Sequence, residues 1–117
     1  MITLTVPVSA KLHAHNSGHW RSKAAATKQA RELARMLVHG QKPIEGVAVL
    51  DILFRVPDRR RRDLLNMCQS LKPAIDGVVD AGMISGDHWE VLRIGKIEVV
   101  KQGSIVEAVL TFRAALL

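Results

Sequence analysis

VAVLDILFRVPDRRRRDLLN, Val47 to Asn66, contains both the centre of the fold and its most unusual chemistry. Val47 to Val56 is β-branched, apolar and of strand length, and it stops at Pro57, which cannot donate to a sheet ladder. Arg59, Arg60, Arg61 and Arg62 follow at once, set against Asp63 and then Leu64, Leu65 and Asn66. Adjacent guanidiniums repel one another, and nothing in an ordinary soluble domain requires them, so the exit of this strand reads as a place where an anion is held.

Toward the N-terminus, Ile2 to Val6 alternates apolar residues with threonine and is stopped by Pro7, which predicts another strand. A polar loop, KLHAHNSGHW, separates it from Trp20 to His39, a stretch without Gly or Pro and rich in Ala, Leu, Lys and Arg, with Gly40 placed to end a helix. Ala26, Ala30, Leu33 and Leu37 form its expected packing face, and Arg21, Lys28, Arg31 and Arg35 a basic stripe on another. The stripe reads either as a solvated surface or as a phosphate-binding one.

Toward the C-terminus, Leu71, Ile75, Val78 and Val79 have helical spacing and Gly82 follows. Ser70 or Asn66 is the expected N-cap, with Ser70 better supported because Pro73 fits only a first turn. Two further runs, Val91 to Val100 and Ser104 to Phe112, flank the turn KQG and predict a β-hairpin. The expectation is a single α+β domain over residues 1–117, a mixed sheet with two helices in the order β-α-β-α-β-β.

Composition narrows the function. The chain of 117 residues carries a formal net charge of +6 and a pI of about 10.1, a balance that favours nucleic acid, an anionic membrane surface or an acidic protein as partner. No apolar run approaches the ~20 residues of a membrane span, and MITLTVPVSA lacks the pattern of a signal peptide, so a cytoplasmic, soluble protein is expected. The single cysteine, Cys68, excludes an internal disulfide and reads as a small packed thiol.

Asp58, Asp63, Asp76, Asp80 and Asp87 all lie between the second strand and the expected hairpin, the region of the arginine run. Carboxylates beside a basic patch are what Mg²⁺-dependent phosphodiester cleavage needs, because the metal polarises the phosphate while arginines hold the strand. The ordinary alternative is that they are solvated surface residues. Lys72 and Asp76 stand at i, i+4 and are either a surface ion pair or an ammonium set beside metal-binding carboxylates. Asp87, in SGDHW, can reach the same place from a loop or simply shape a turn. His13, His15, His19, His39 and His88 have no zinc-site spacing and read as surface contacts and phosphate hydrogen bonds. Trp20 and Trp89 are expected to anchor the start of a helix and of a strand, with stacking on an unpaired base as the alternative.

PDRRRRDLLN, then KPAIDGVVDAG, then Asp87 before a strand together resemble the RusA family of phage and bacterial Holliday junction resolvases. That family carries an arginine-flanked Asp-x-Asp-Asn, a helix lysine, a later helix aspartate and an Asp-Asp pair before a strand. The resemblance covers nearly the whole chain, including the loop asparagine, Asn16, and the basic helix. It implies Asp63, Lys72 and Asp87 as catalytic residues and Asp63, Asp87 and Asp76 as ligands of Mg²⁺, with Mn²⁺ as substitute. It also implies DNA contacts from Arg59, Arg60, Arg61, Arg62 and Asn66, joined by Arg21, Lys28, Arg31 and Arg35, in a homodimer that binds four-way junctions in recombination and repair. Leu65 stands where the family has its second aspartate and Gly86 where it has the first acid of the pair, and three extra residues, about one helical turn, precede Lys72.

A Holliday junction endonuclease is therefore the expected activity. A relative that binds branched DNA without cutting it is the alternative raised by Leu65, and a small basic RNA-binding protein is a third.

Overall fold

The computed structural model describes residues 1–9 and 20–116. Strand β1 spans Ile2–Pro7, helix α1 Trp20–Leu37 and strand β2 Ala48–Val56, followed by helices α2, Leu64–Gln69, and α3, Lys72–Asp80, and strands β3, Leu92–Lys101, and β4, Glu107–Ala114. The expected order β-α-β-α-β-β is observed, the second helical region being two short helices joined at Ser70 and Leu71. No described helix is long and apolar enough to cross a membrane.

The break explains the pull between the two expected N-caps, neither of which is used. Helix α2 is capped by Asp63, whose carboxylate accepts the Leu65 and Asn66 N–H groups at 2.9 and 3.2 Å. Ser70 instead ends α2, buried, with its hydroxyl donating to the Met67 carbonyl. Leu71 precedes α3 without a side-chain cap, and Pro73 sits in the first turn, where its missing N–H costs nothing.

The four strands form one mixed sheet in the order β1-β4-β2-β3, with β4 antiparallel to both β1 and β2, and β3 parallel to β2. The expected hairpin is therefore absent: β3 and β4 follow each other in sequence, but β2 lies between them. The reason is burial. Ala48, Leu50, Ile52, Phe54 and Val56 are all buried on one face of β2, and a strand this apolar belongs in the middle of a sheet, whereas β3 is exposed along most of its length and takes the edge. Opposite Asp51, β3 inserts an extra residue, so that Gly95 and Lys96 face one position of β2. Asp51 accepts the Lys96 N–H at 2.8 Å and the Arg113 Nε–H at 2.9 Å, and a Cβ on residue 95 would lie 2.2 Å from its carboxylate. A side chain at position 95 would have to push the Asp51 carboxylate off these partners.

Helices α1 and α3 cover the apolar face of β1, β4 and β2. The packing residues of α1 are Ala34 and, just past its end, Val38; Leu33 and Leu37, expected on that face, are 38% and 43% exposed. The face is rotated because α1 packs through small residues against α3: a Cβ on Gly77 would lie 2.2 Å from the Arg31 carbonyl and 3.0 Å from the Ala34 Cβ. Only small residues permit so close a crossing, and leucines are left outside it.

Candidate active site and nucleic-acid interface

The arginine run leaves β2 as a braced loop. The Asp58 carboxylate accepts the Arg60 N–H at 3.0 Å and pairs with the Arg62 guanidinium at 3.0 Å, which also donates to the carbonyls of Asp58 and Arg60 at 3.3 and 3.1 Å. These contacts, the Arg60 N–H first, hold the Asp58 carboxyl below its ordinary range. Arg62 is thus turned inward, its side chain 14% exposed, and Arg59, Arg60 and Arg61 are presented to solvent. Arg60 lies on both of two adjoining grooves: one of about 430 Å³ with Arg59, Leu64, Val99 and Lys101, and one of about 310 Å³ with Arg61, Asp63 and Asn66. Of the arginines expected on DNA, Arg62 both braces the loop and lines the two grooves.

The second feature gathers residues distant in sequence. Lys72 at the start of α3 pairs its ammonium with Asp76, one turn on, and with Asp87 from the loop before β3. Hydrogen bonds to both carboxylates, Asp76 first, push the Lys72 ammonium up, and Lys72 in turn holds the Asp87 carboxyl down. The loop is set by a turn in which the His88 carbonyl accepts the Val91 and Leu92 N–H groups at 3.1 and 3.0 Å. All three side chains retain contact with solvent, at 58% for Lys72, 26% for Asp76 and 38% for Asp87. An ammonium bridging two carboxylates marks a place where a cation is stabilised from both sides.

Asp63 does not join this group: one carboxylate oxygen caps α2, and among the described residues no three His, Cys, Asp or Glu side chains stand together as a metal site. Leu64 and Leu65 are exposed, Leu65 at 73%. Two of the four residues of the basic stripe, Arg31 and Arg35, are paired with carboxylates within the protein. Arg31 makes a two-pronged pair with Asp80, one arm at 2.8 Å, that locks α1 to α3 and lowers the Asp80 pKa, and Arg35 pairs with Glu32. Lys28 is exposed, and Arg21 lies 5.3 Å over the Trp20 ring. Asn16, His13, His15 and His19 lie outside the described residues.

The loops also differ in position. Leu92, just after the Asp87 loop, pairs with Ala48 at the start of β2, while the arginine loop leaves Val56 at its end. The strand between measures roughly 25 Å at ~3.3 Å per residue. Sequence reasoning missed Asp51, whose signal was an acid inside a strand that is apolar apart from it and Arg55, and placed Trp89 at the start of a strand when it sits exposed on the preceding turn. No protein-family model matches the chain, and no curated protein matches it.

Proposed function

We propose that this protein is a Mg²⁺-dependent, structure-selective DNA endonuclease that acts on four-way junctions as a homodimer. The observation that carries the reading is the convergence of Lys72, Asp76 and Asp87, two from one helix and one from a separate loop, beside a fold that also presents Arg59, Arg60 and Arg61. The carboxylate pair suits Mg²⁺, which commonly takes one or two protein carboxylates and fills its remaining positions with water and phosphate oxygens. Asp76 and Asp87 would hold it. Bound there, the ion would polarise a phosphate and acidify its water. Lys72 would then neutralise charge building on the phosphate, and the exposed arginines would hold backbone phosphates on another part of the branched substrate.

A second reading, binding without cleavage, has an observation of its own: Asp63 is engaged as a helix cap and Leu65 supplies no ligand beside it. One experiment separates the two. A labelled four-way junction is incubated with the protein in Mg²⁺ and, in parallel, shifted on a gel in EDTA. Paired strand cleavage in Mg²⁺ supports the endonuclease; a shift without cleavage supports the binding protein. Equal affinity for junction, duplex and single strands with no cleavage would remove both and leave the basic RNA-binding reading.

A further inference from the structure

Strand β3 is an open edge of the sheet, bound to β2 on one side only. Leu92, Ile94, Ile97 and Val99 stand opposite Ala48, Leu50, Ile52 and Phe54, so they share the sheet face on which the core is built. The helices that cover the other strands leave this stripe largely in water, with Ile94, Ile97 and Val99 at 55%, 39% and 50% exposure. Plain alternation would turn Ile97 and Val99 to the opposite face from Leu92 and Ile94; the extra residue at Gly95 and Lys96 returns them to it. The backbone of the edge is open as well. The Ala48 N–H donates to the Val91 carbonyl at 2.9 Å and the Gln102 N–H to the Val56 carbonyl at 2.8 Å, so both ends of β3 face β2 at these residues. By alternation from them, Ile94, Ile97 and Val99 turn their N–H and C=O groups outward, where a ladder can continue.

We propose that two copies of the chain join here, β3 to β3 and antiparallel, about a two-fold axis at Gly95 and Lys96; this gives a surface to the homodimer of the functional reading and rests on it. The strand's own sequence selects a second copy as the occupant. In this register Ile94 lies opposite Ile97 of the second copy and exchanges both hydrogen bonds with it. Leu92, whose N–H is already taken by the His88 carbonyl, lies opposite Val99 and accepts its N–H. On the other face Arg93 comes opposite Glu98, both exposed. The two-fold repeats every pair. A slip of one residue sets apolar side chains against polar ones. A slip of two sets Arg93 against Lys96 in one direction, and in the other leaves Arg93 and Glu98 without an opposite charge. Bulges and edge charges ordinarily block strand pairing, and here they exclude the neighbouring registers. A strand from another protein would need the same charge spacing around the same irregularity, which this chain already supplies. Antiparallel pairing also brings the arginine loop of each copy to the end of the sheet where the other copy holds Lys72, Asp76 and Asp87, a strand's length away within one chain.

Sedimentation velocity of the protein alone, over a concentration series in low salt, tests the join. The parent should be a dimer that dissociates on dilution. Arg93→Glu and Glu98→Arg should each raise the dissociation constant about tenfold, because each turns two attractive pairs repulsive, and the double variant should return it to near the parent value. Ile97→Lys should also separate the copies. All of these positions are exposed, so every variant should keep the parent's circular dichroism spectrum. Single variants that dimerise as tightly as the parent, or a double variant no tighter than the single ones, would overturn this surface and leave a homodimer built elsewhere. A parent that is monomeric at every concentration would overturn it too, leaving the stripe to a different protein. Junction cleavage in Mg²⁺, measured on the same samples, reports separately on the endonuclease: a parent that dimerises as described and cuts nothing would keep the join and lose the nuclease.

Discussion

Asp63 shows how one side chain can be assigned two different jobs by sequence and by structure. As a cap it satisfies two N–H groups of α2, so Asp63→Ala should cost about 0.5–2 kcal/mol, while Asp63→Asn, itself a good cap, should cost much less. Urea unfolding measures both. If Asp63→Asn abolishes cleavage at normal stability, the free carboxylate oxygen has a role in the reaction; if cleavage persists, the residue is purely a cap. Asp76→Asn and Asp87→Asn are expected to abolish Mg²⁺-dependent cleavage with junction affinity kept or raised, because each removes both a ligand and a charge that repels the backbone. Lys72→Ala should reduce the cleavage rate more than affinity, since its proposed interaction strengthens in the transition state. Leu65, exposed in the first turn of α2, accepts Asp without strain, so Leu65→Asp should hold stability within about 0.5 kcal/mol. A rise in cleavage with that variant would show that the site lacks a ligand.

At the scale of elements, two packing devices make separate predictions. The α1–α3 crossing depends on Gly77, and a methyl group there meets the Arg31 backbone, which cannot move without shifting the helix; Gly77→Ala should destabilise by about 1–3 kcal/mol in thermal unfolding. The arginine loop divides by role. Replacing Arg60 and Arg61 with Ala should weaken junction binding and reduce its salt dependence, the slope of log affinity against log salt falling by about 0.9 for each phosphate that the protein no longer neutralises. Arg62→Ala should instead loosen the loop, seen as faster proteolysis between Pro57 and Asp63, with a smaller change in salt slope. Arg31 and Arg35, engaged by Asp80 and Glu32, should contribute less to DNA binding than their place on the basic stripe implies.

For the whole molecule, Glu32, Asp51, Asp58, Asp80 and Asp87 all have pKa values lowered by cationic or N–H partners. A carboxyl whose pKa is lower in the folded than in the unfolded state binds fewer protons when folded, so its contribution is present above the ordinary value, 3.8 for Asp, and is lost as pH falls below it. The urea midpoint should therefore be level near neutrality and decline below about pH 4, more steeply in low salt. Lys72 has the opposite sign: its contribution persists up to its ordinary 10.5 and is lost above.

The strands, the long helix and the basic loop were legible in the chain, because each depends on neighbours a few positions apart: alternation in Ile2 to Val6, the unbroken run from Trp20, the apolar segment closed by Pro57. So was half of the candidate site, since Lys72 and Asp76 meet by helical spacing alone. Only the tertiary structure decided that β2 separates β3 from β4, that α1 turns Ala34 inward and Leu33 and Leu37 outward, and that Asp87 reaches Lys72 while Asp63 stays at its helix cap. These outcomes depend on which faces can be buried against each other and how closely two backbones can approach. Such competition is settled between residues far apart in the chain, where local periodicity carries no information.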